Sequence, residues 1–359
     1  MTSTSATTEE RIGRERRWTF KVDRGAGMRA LAIVVFLLVA MFVLPAITGS
    51  DWVKTYTSVA IYAVVAAGLG VLYGRVGMIS LGQIGLLAIG TWTATRLNYE
   101  YNLPFPVLLV VTGTITCAIG VLVGLPALRL SGLYLALITL MFAGAVNIIL
   151  TAINFPNNGG GFTGHTGTIS ITGLAPVRRP AGAAGDTAYY RYVVVVSVLM
   201  FLLALLHLAS KPGRAWASIR ESEPAALAAG VNITLYKLWA FALASFMTGV
   251  AGCLLASQLG QPTIYAFPKQ DSLTLPAVVL IGGIFSLWGA VIAGVFMQLV
   301  PFLFQAEWNI NANFLAIIFG VGLLQVLLTA PGGLSDQVPR DLARLWHLVS
   351  GPTRKGEPK

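Results

Sequence analysis

The side chains best suited to chemistry lie together in one short hydrophilic segment, residues 211–237. From Lys211 onward it reads Lys-Pro-Gly-Arg-Ala-Trp-Ala-Ser-Ile-Arg-Glu-Ser-Glu-Pro-Ala-Ala-Leu-Ala-Ala-Gly-Val-Asn. Charges of both signs, including Arg220 and Glu221, stand beside small alanines, so the segment combines charged groups with a surface of low relief. Such a surface suits the docking of another protein, whereas it contains no nucleophile and no set of metal ligands.

The same segment predicts two short helices. The pattern after Gly213 favours a first helix, and Pro224 suits the first turn of a second one, with Ser222 or Glu223 as its N-cap. Gly230 fits the left-handed position that ends a helix. An amphipathic helix resting on lipid headgroups is the alternative. It is disfavoured because the segment has few bulky apolar residues, namely Trp216, Ile219 and Leu227.

Motifs for independent chemistry are missing from the sequence. It contains no G-x-x-x-x-G-K-S/T, no H-E-x-x-H and no paired cysteines at metal-ligand spacing. No acid lies within an apolar run, where it would indicate coupling to protons or sodium. The sequence therefore predicts no cofactor or metal site and no energy source in this chain. An enzyme is disfavoured, and a channel or a transporter driven from outside remains.

Composition places the chain in a membrane. Of its 359 residues, 56% are apolar and only 11% are charged. A soluble domain carries roughly 25% charged residues, so both a soluble fold and a disordered chain are excluded. The net charge of +10 is accordingly interpreted through membrane topology and not as a sign of nucleic-acid binding.

Uncharged runs of about 20 residues or more predict the transmembrane helices. Nine are present: Ala30–Ser50, Thr55–Gly74, Val76–Thr95, Tyr101–Leu128, Leu130–Ile153, Tyr192–Ser210, Leu238–Pro268, Ser272–Ala306 and Trp308–Ser335. The eighth run is long enough for a half-helix, a turn and a full helix. The sequence therefore predicts an all-α polytopic membrane protein with about ten spans (roughly 8–10). One segment, near Gly282–Gly289, is predicted to be broken or re-entrant, and a short coupling helix lies in the cytoplasm.

Basic residues predict the topology, because they concentrate on the cytoplasmic side. With an even number of spans and the N-terminus inside, 18 of the 24 bases face the cytoplasm, against 13 for an odd number. The plan is a cytoplasmic arm at 1–29, a membrane domain at 30–335 and a cytoplasmic tail at 336–359. The membrane domain includes an external loop at 154–191 and the cytoplasmic coupling loop at 211–237.

Small and polar residues inside the apolar runs are candidates for a solute pathway. These candidates are Gly77, Ser80, Gln83, Thr139, Gly282 and Gly283. In lipid, however, small residues also let helices pack closely, and hydroxyl or amide groups often bond to the backbone of their own helix. Both interpretations, pathway wall and helix packing, stay open at this point.

The coupling loop carries a specific resemblance. Residues Gly213–Asn232 resemble the G-R-A-x-x-A-I-R-E-x-E-x-A-A-x-x-x-G-I/V-N cytoplasmic loop of M-type permease subunits in the branched-chain amino-acid family of ABC importers. Further segments resemble motifs of that family in the same order: 77–83, 128–140, 157–167 and 280–289. The external glycine loop, Gly159–Gly164, departs from the family in having no acid.

The resemblance implies a permease subunit for branched-chain or related amino acids in the cell membrane. It also implies the partners: a homologous permease, two cytoplasmic ATPases that hold the ATP, and an extracellular or periplasmic solute-binding protein. The residues expected to couple to the ATPases are Gly213, Arg214, Arg220, Glu221, Glu223, Ala225, Ala226 and Gly230. An importer of urea or short amides would share this architecture, and a passive channel is the alternative from a different class.

Overall fold

The structure, a computed structural model, describes part of the chain. The described residues are 33, 35–127, 132–153, 177–268, 270–307, 314, 317, 318, 320–322, 324, 325 and 333–335. Throughout these residues the regular elements are helices and no strand occurs, which confirms the predicted all-α class. The glycine loop at 159–164 and both predicted terminal arms lie outside the described residues.

The chain divides into two compact units, the first of which ends at Ile47. Its described part is helix α1, Val35–Ile47, which includes a π-helical stretch at Val39–Val43. In its described part this helix is shorter than the about 20 residues that a membrane span requires.

The second unit, from Thr48 onward, contains helices α2 to α11. Their bounds are α2 Ser50–Val76, α3 Gln83–Tyr101, α4 Phe105–Ala127, α5 Leu133–Ala152, α6 Asp186–Ala209, α7 Lys211–Glu221, α8 Glu223–Ala228, α9 Ile233–Leu259, α10 Asp271–Gly282 and α11 Leu287–Gln305. A short 3-10 turn, Ile264–Ala266, lies between α9 and α10.

Six helices among the described residues are long and apolar enough to cross a membrane: α2, α4, α5, α6, α9 and α11. The predicted count of about ten is therefore not confirmed. The first predicted run yields only the short α1 in its described part, and the eighth is divided between the short α10 and the long α11. The last run, Trp308–Ser335, lies mostly outside the described residues.

The third predicted run, Val76–Thr95, does not form a helix over its whole length. Gly77 adopts φ 84, a left-handed conformation that suits glycine, and the helix begins only at Gln83. The resulting α3 is enclosed by protein, and even Arg96 near its end is fully buried. Protein neighbours therefore cover this helix as far as Asn98, and its last three residues, Tyr99–Tyr101, are exposed.

Two helices begin earlier than the sequence predicts. Helix α6 begins at Asp186 and not at Tyr192, because Asp186 pairs with Arg179 at 2.8 Å and an acid in the first turn favours the helix dipole. Helix α7 begins at Lys211 and not after Gly213, because Pro212 occupies a first-turn position where no amide donor is needed.

Helix α9 lies at the centre of the second unit and packs on α3 and α4. Glycine permits this close approach: a Cβ built at Gly252 would lie 2.8 Å from the Leu87 carbonyl oxygen and 2.8 Å from the Thr91 amide nitrogen. The Thr91 hydroxyl donates to the Gly252 carbonyl oxygen at 3.1 Å. Such van der Waals packing and interhelical hydrogen bonds are what hold helices together in lipid.

The predicted break near Gly282–Gly289 is present. Helix α10 ends at Gly282, Gly283 takes φ 113, and α11 begins at Leu287. With 12 residues, α10 is about 18 Å long. That length covers little more than half of a hydrocarbon core of about 30 Å, so α10 is too short to span.

Polar contacts gather at the two ends of α2. At the Ser50 end, the Ser50 hydroxyl donates to the Asp186 carboxylate at 2.9 Å. At the Val76 end, the Arg75 guanidinium donates to the Phe285 carbonyl oxygen at 2.8 Å. Helix α7 also contacts this second end. The structure thus separates the two groups of residues that the topology prediction places on opposite sides of the membrane.

Replacing glycine by alanine tests the packing of α9. We expect Gly252→Ala to lower the free energy of unfolding by about 1–3 kcal/mol, because its Cβ would press on backbone atoms of α3. Gly144→Ala in α5 is the matched control, since no atom lies within 4 Å of a Cβ built there. Thermal unfolding of the purified protein in detergent measures both; equal losses would contradict the packing argument.

Candidate functional site

The coupling segment is a pair of short helices, α7 and α8, fixed to the start of α9. Ser222 caps α8 by accepting a hydrogen bond from the Ala225 amide, and Gly230 follows the helix with φ 79, as the sequence predicts. The Trp216 side chain is fully buried, and its indole N–H donates to the Tyr236 carbonyl oxygen at 2.8 Å. The largest apolar side chain of the segment therefore faces protein and not lipid.

Five of the eight predicted coupling residues have exposed side chains: Arg214, Arg220, Glu221, Glu223 and Ala225. Within the described residues, the charged groups of Arg214 and Glu221 make no hydrogen bond or ion pair. Next to them, the Leu227 side chain is 63% exposed. These four residues, Arg214, Glu221, Ala225 and Leu227, form what we call the docking face.

Two further predicted coupling residues have positions that shape the segment. A Cβ at Gly213 would collide with the Leu208 carbonyl, so glycine permits the tight turn from α6 into α7. Ala226 is buried at 2% exposure and packs beneath the docking face. Both residues support this face without being available to a partner.

Glu223 is engaged inside the chain by an ion pair. Its carboxylate lies 2.6 Å from the Lys237 ammonium, with side-chain exposures of 50% and 9%. The pair joins the start of α8 to α9. An open groove of about 570 Å³ lies beside it, lined in part by Leu227 and Asn232.

Arg220 connects the coupling segment to the break between α10 and α11. Its guanidinium donates to the Gly74 carbonyl oxygen near the end of α2, and it lies 4.3 Å from the centre of the Phe285 ring. Arg75 also contacts Phe285, because its guanidinium donates to the Phe285 carbonyl oxygen at 2.8 Å. Phe285 is therefore held by two arginines, one from the coupling helix and one from α2.

Phe285 is not among the site residues predicted from the sequence. Its position between Gly283 and Gly289 is a local signal, because an aromatic residue in a glycine-rich break has few neighbours in its own helix. The residue it contacts, Arg220, belongs to another element, and no local pattern indicates that contact.

The polar pathway candidates Ser80, Gln83 and Thr139 are each buried at 1% exposure. The Thr139 hydroxyl accepts a hydrogen bond from the Leu81 amide at 2.9 Å. The Gln83 side-chain oxygen accepts one from the Thr248 hydroxyl at 2.8 Å. These contacts join the break before α3 to α5 and the start of α3 to α9. A role of the three side chains in the pathway stays a prediction.

The glycine candidates stand at the two breaks in the helices. Gly77 ends the π-helical stretch of α2, and a Cβ there would lie 3.7 Å from the Arg220 Cγ. Gly282 and Gly283 are buried against Gly289 of α11, so closely that no side chain fits between them. Their part in a solute path likewise stays a prediction.

The described residues hold no cluster of three or more His, Cys, Asp or Glu side chains that could bind a metal ion. Cys117 and Cys253 are free thiols. His165 and His347 lie outside the described part of the chain.

Comparisons with known proteins identify the class of the chain. The family model described as "Branched-chain amino acid transport system / permease component" matches residues 52–327. The chain is 30% identical over 289 residues to the high-affinity branched-chain amino acid transport system permease protein LivM of Salmonella typhimurium, across 76% of this chain and 68% of that protein. LivM of Escherichia coli is 29% identical over the same length and shares. No solved structure matches.

The matched region covers α2 from Trp52 onward and all of helices α3 to α11, including the coupling segment and both breaks. This agreement confirms the resemblance found in the sequence. The chain therefore belongs to the family of branched-chain amino acid transport system permease components.

Proposed function

We propose that the chain is the permease subunit of an ATP-binding-cassette importer for branched-chain or related amino acids. It forms the solute pathway with a second, homologous permease, and an external binding protein delivers the solute. Two cytoplasmic ATPases hold the ATP, so this chain has no cofactor of its own. It lies in the cell membrane with both termini in the cytoplasm. The contact of Arg220 with Phe285, which joins the coupling helix to a break in the membrane helices, carries the proposal.

The docking face supplies the first step, contact with an ATPase. Its charged members, Arg214 and Glu221, are solvated and available, and the exposed Leu227 adds an apolar contact. Protein interfaces combine apolar contacts with charged groups that steer and orient the partner. Closure of the ATPases on ATP would therefore move α7 and α8 together.

The second step is the transmission of this movement into the membrane domain, and it depends on the anchored side chains beneath the docking face. Trp216 and the pair of Glu223 and Lys237 make the segment rigid relative to α9. Movement of α7 is then carried by Arg220 to the carbonyl of Gly74 and the ring of Phe285. A ligand shifts a two-state protein only through contacts that differ between the two states. The contacts of Arg220 with Gly74 and Phe285 join separate elements, so they can differ between the outward-open and inward-open states.

The third step is the conformational change in the membrane domain, which involves the breaks at Gly77–Gly82 and Gly283–Ser286. Non-helical residues can change φ and ψ at low cost, whereas a continuous helix moves as a rigid body. We therefore place the change between outward-open and inward-open states at these two breaks.

Two alternatives make different demands on the chain. An importer of urea or short amides would use the same docking face and differ only in its solute. A passive channel would conduct without ATPases and would need no rigid link between a cytoplasmic helix and the break.

Reversing the charge of Glu221 tests the docking face. We expect Glu221→Lys to reduce co-purification of the ATPases by about tenfold, an effect equivalent to ~1.4 kcal/mol of binding free energy. Glu100→Lys, an exposed position at the far end of α3, is the charge-matched control. ATPase recovery on the affinity-tagged permease measures both, and unimpaired recovery for Glu221→Lys would contradict this role.

Removing the Arg220 guanidinium tests the link separately from docking. We expect Arg220→Ala to leave ATPase co-purification intact but to lower the amino acid transported per ATP hydrolysed by about tenfold, since a charged hydrogen bond and a cation–π contact are lost. Phe285→Ala should have a similar effect, and the double variant should be no worse than either, because the two residues act through one contact.

Proteoliposomes with the complete complex measure amino acid uptake and ATP hydrolysis for these variants, and recovery on the affinity-tagged permease measures ATPase binding. Loss of ATPase binding by Arg220→Ala, to the extent seen for Glu221→Lys, would assign Arg220 to the docking face instead.

Reconstitution of the chain alone distinguishes a permease subunit from a channel. We expect no uptake of L-leucine by liposomes that contain this chain without its partners. Uptake should appear when the second permease, the ATPases, the binding protein and ATP are all present. Conduction by the chain alone would favour the passive channel.

A further inference from the structure

A cavity of about 360 Å³ lies between α3, α5 and the segment that leads into α10. Ile84 and Ala88 of α3 form one wall, Leu140 and Gly144 of α5 form the second, and Phe267 belongs to the third. Its volume is at the lower end of the range for small-molecule sites, about 300–1,000 Å³. It is distinct from the groove beside the coupling segment.

The lining of this cavity is uncharged and largely apolar, with polar groups on one side. None of its lining residues is acidic or basic. The polar members are Asn147, Gln270 and Ser272. The Asn147 side-chain nitrogen donates to the Phe267 carbonyl oxygen at 3.2 Å, which fixes the orientation of the amide. Within the described residues, its side-chain oxygen has no hydrogen-bond donor and is available to a ligand.

The cavity lies at the middle depth of the membrane helices. The Gln83 side chain, at the start of α3, accepts a hydrogen bond from Thr248, which is near the middle of α9. Helix α10, with 12 residues, covers about half of the hydrocarbon core. The loop after α10 reaches Arg75 near the end of α2. Helix α10 thus begins at mid-depth, and the cavity next to its first turn lies at the same level.

Two stretches of non-helical backbone lead into helices that line this cavity. Residues 77–82 precede α3, and residues 267, 268 and 270 precede α10. Irregular backbone at membrane depth is tolerated where protein buries it or where it lines a water-filled cavity. In the first turn of α10 the Asp271 amide donates to the Pro268 carbonyl oxygen and the Leu273 amide to the Gln270 carbonyl oxygen, each at 3.0 Å. Ser272, whose amide has no acceptor among the described residues, brings this turn to the cavity wall.

We propose that this cavity receives the aliphatic side chain of the transported amino acid, while Asn147 and the first turn of α10 face its ammonium and carboxylate groups. The inference rests on the proposed function and specifies its solute-contacting residues. A neutral, mainly apolar lining suits a zwitterion that is uncharged overall and carries an apolar side chain. Urea and short amides lack the apolar group that this wall would bury.

Filling the cavity is the first test. We expect Gly144→Leu to reduce ATP-dependent uptake of L-leucine by the complete complex by at least about tenfold, because hydrophobic misfits in a pocket cost about 10–200-fold. The variant should fold, since no atom lies within 4 Å of a Cβ at Gly144. Ala145→Leu, the exposed neighbour on the same helix, is the matched control. Thermal unfolding and ATPase co-purification confirm that both complexes assemble.

The outcomes separate this inference from the proposed function. If the wild-type complex takes up no L-leucine, the proposed function fails and the inference fails with it. If the wild-type complex transports L-leucine and Gly144→Leu performs like Ala145→Leu, the proposed function stands and the cavity is not the solute site.

Protection from chemical labelling is the second test. We expect Gly144→Cys, combined with Cys117→Ala and Cys253→Ala, to react with a small methanethiosulfonate reagent in the complete complex. L-Leucine supplied with its binding protein and ATP should slow the labelling at least about fivefold, whereas urea should not protect. Labelling that L-leucine leaves unchanged would assign the cavity to a lipid chain or a packing void. Equal protection by urea would overturn the assignment to an aliphatic solute.

Discussion

A lipid bilayer offers the backbone no hydrogen-bond partners, and this constraint decides where the chain can leave its helices. The two breaks among the described helices are met by polar side chains from other elements. Before α3, the Thr139 hydroxyl accepts a hydrogen bond from the Leu81 amide at 2.9 Å. Between α10 and α11, Arg75 donates to the Phe285 carbonyl oxygen at 2.8 Å. The breaks are therefore part of the tertiary structure and could not persist in isolated helices.

The contacts that satisfy the backbone also join the parts that must move together. Arg220 bonds to the carbonyl of Gly74 and covers the ring of Phe285, so a cytoplasmic helix holds a membrane break directly. Asn147 fixes the Phe267 carbonyl at the entrance to α10, beside the proposed solute cavity. A contact between a side chain and a break can exist in two arrangements more easily than the continuous hydrogen bonding of a helix.

Glycine has three different roles that the sequence alone does not distinguish. Gly252 lies where α9 approaches α3, and a side chain there would press on backbone atoms. Gly144 faces open space at the cavity, and Gly77 takes a left-handed conformation. The sequence predicts that small residues either pack helices or line a solute path, but the role of each glycine depends on its distance from a neighbouring helix. That distance is set by tertiary packing.

Features with local causes were predicted from the sequence. Low charge indicates a membrane protein, the cap at Ser222 and the left-handed Gly230 delimit α8, and a double glycine marks the break after α10. These features depend on residues a few positions apart. The family, too, was identified from short motifs.

Only the tertiary structure decided the rest, because it depends on residues distant in the chain. Hydropathy and charge alone predict about ten spans, whereas burial of Arg96 by protein and the short α10 show that an uncharged run need not cross lipid. The contact of Arg220 with Phe285 and the cavity between α3, α5 and α10 arise from the relative placement of helices. A sequence determines which faces are apolar, but van der Waals fit between helices determines which faces meet.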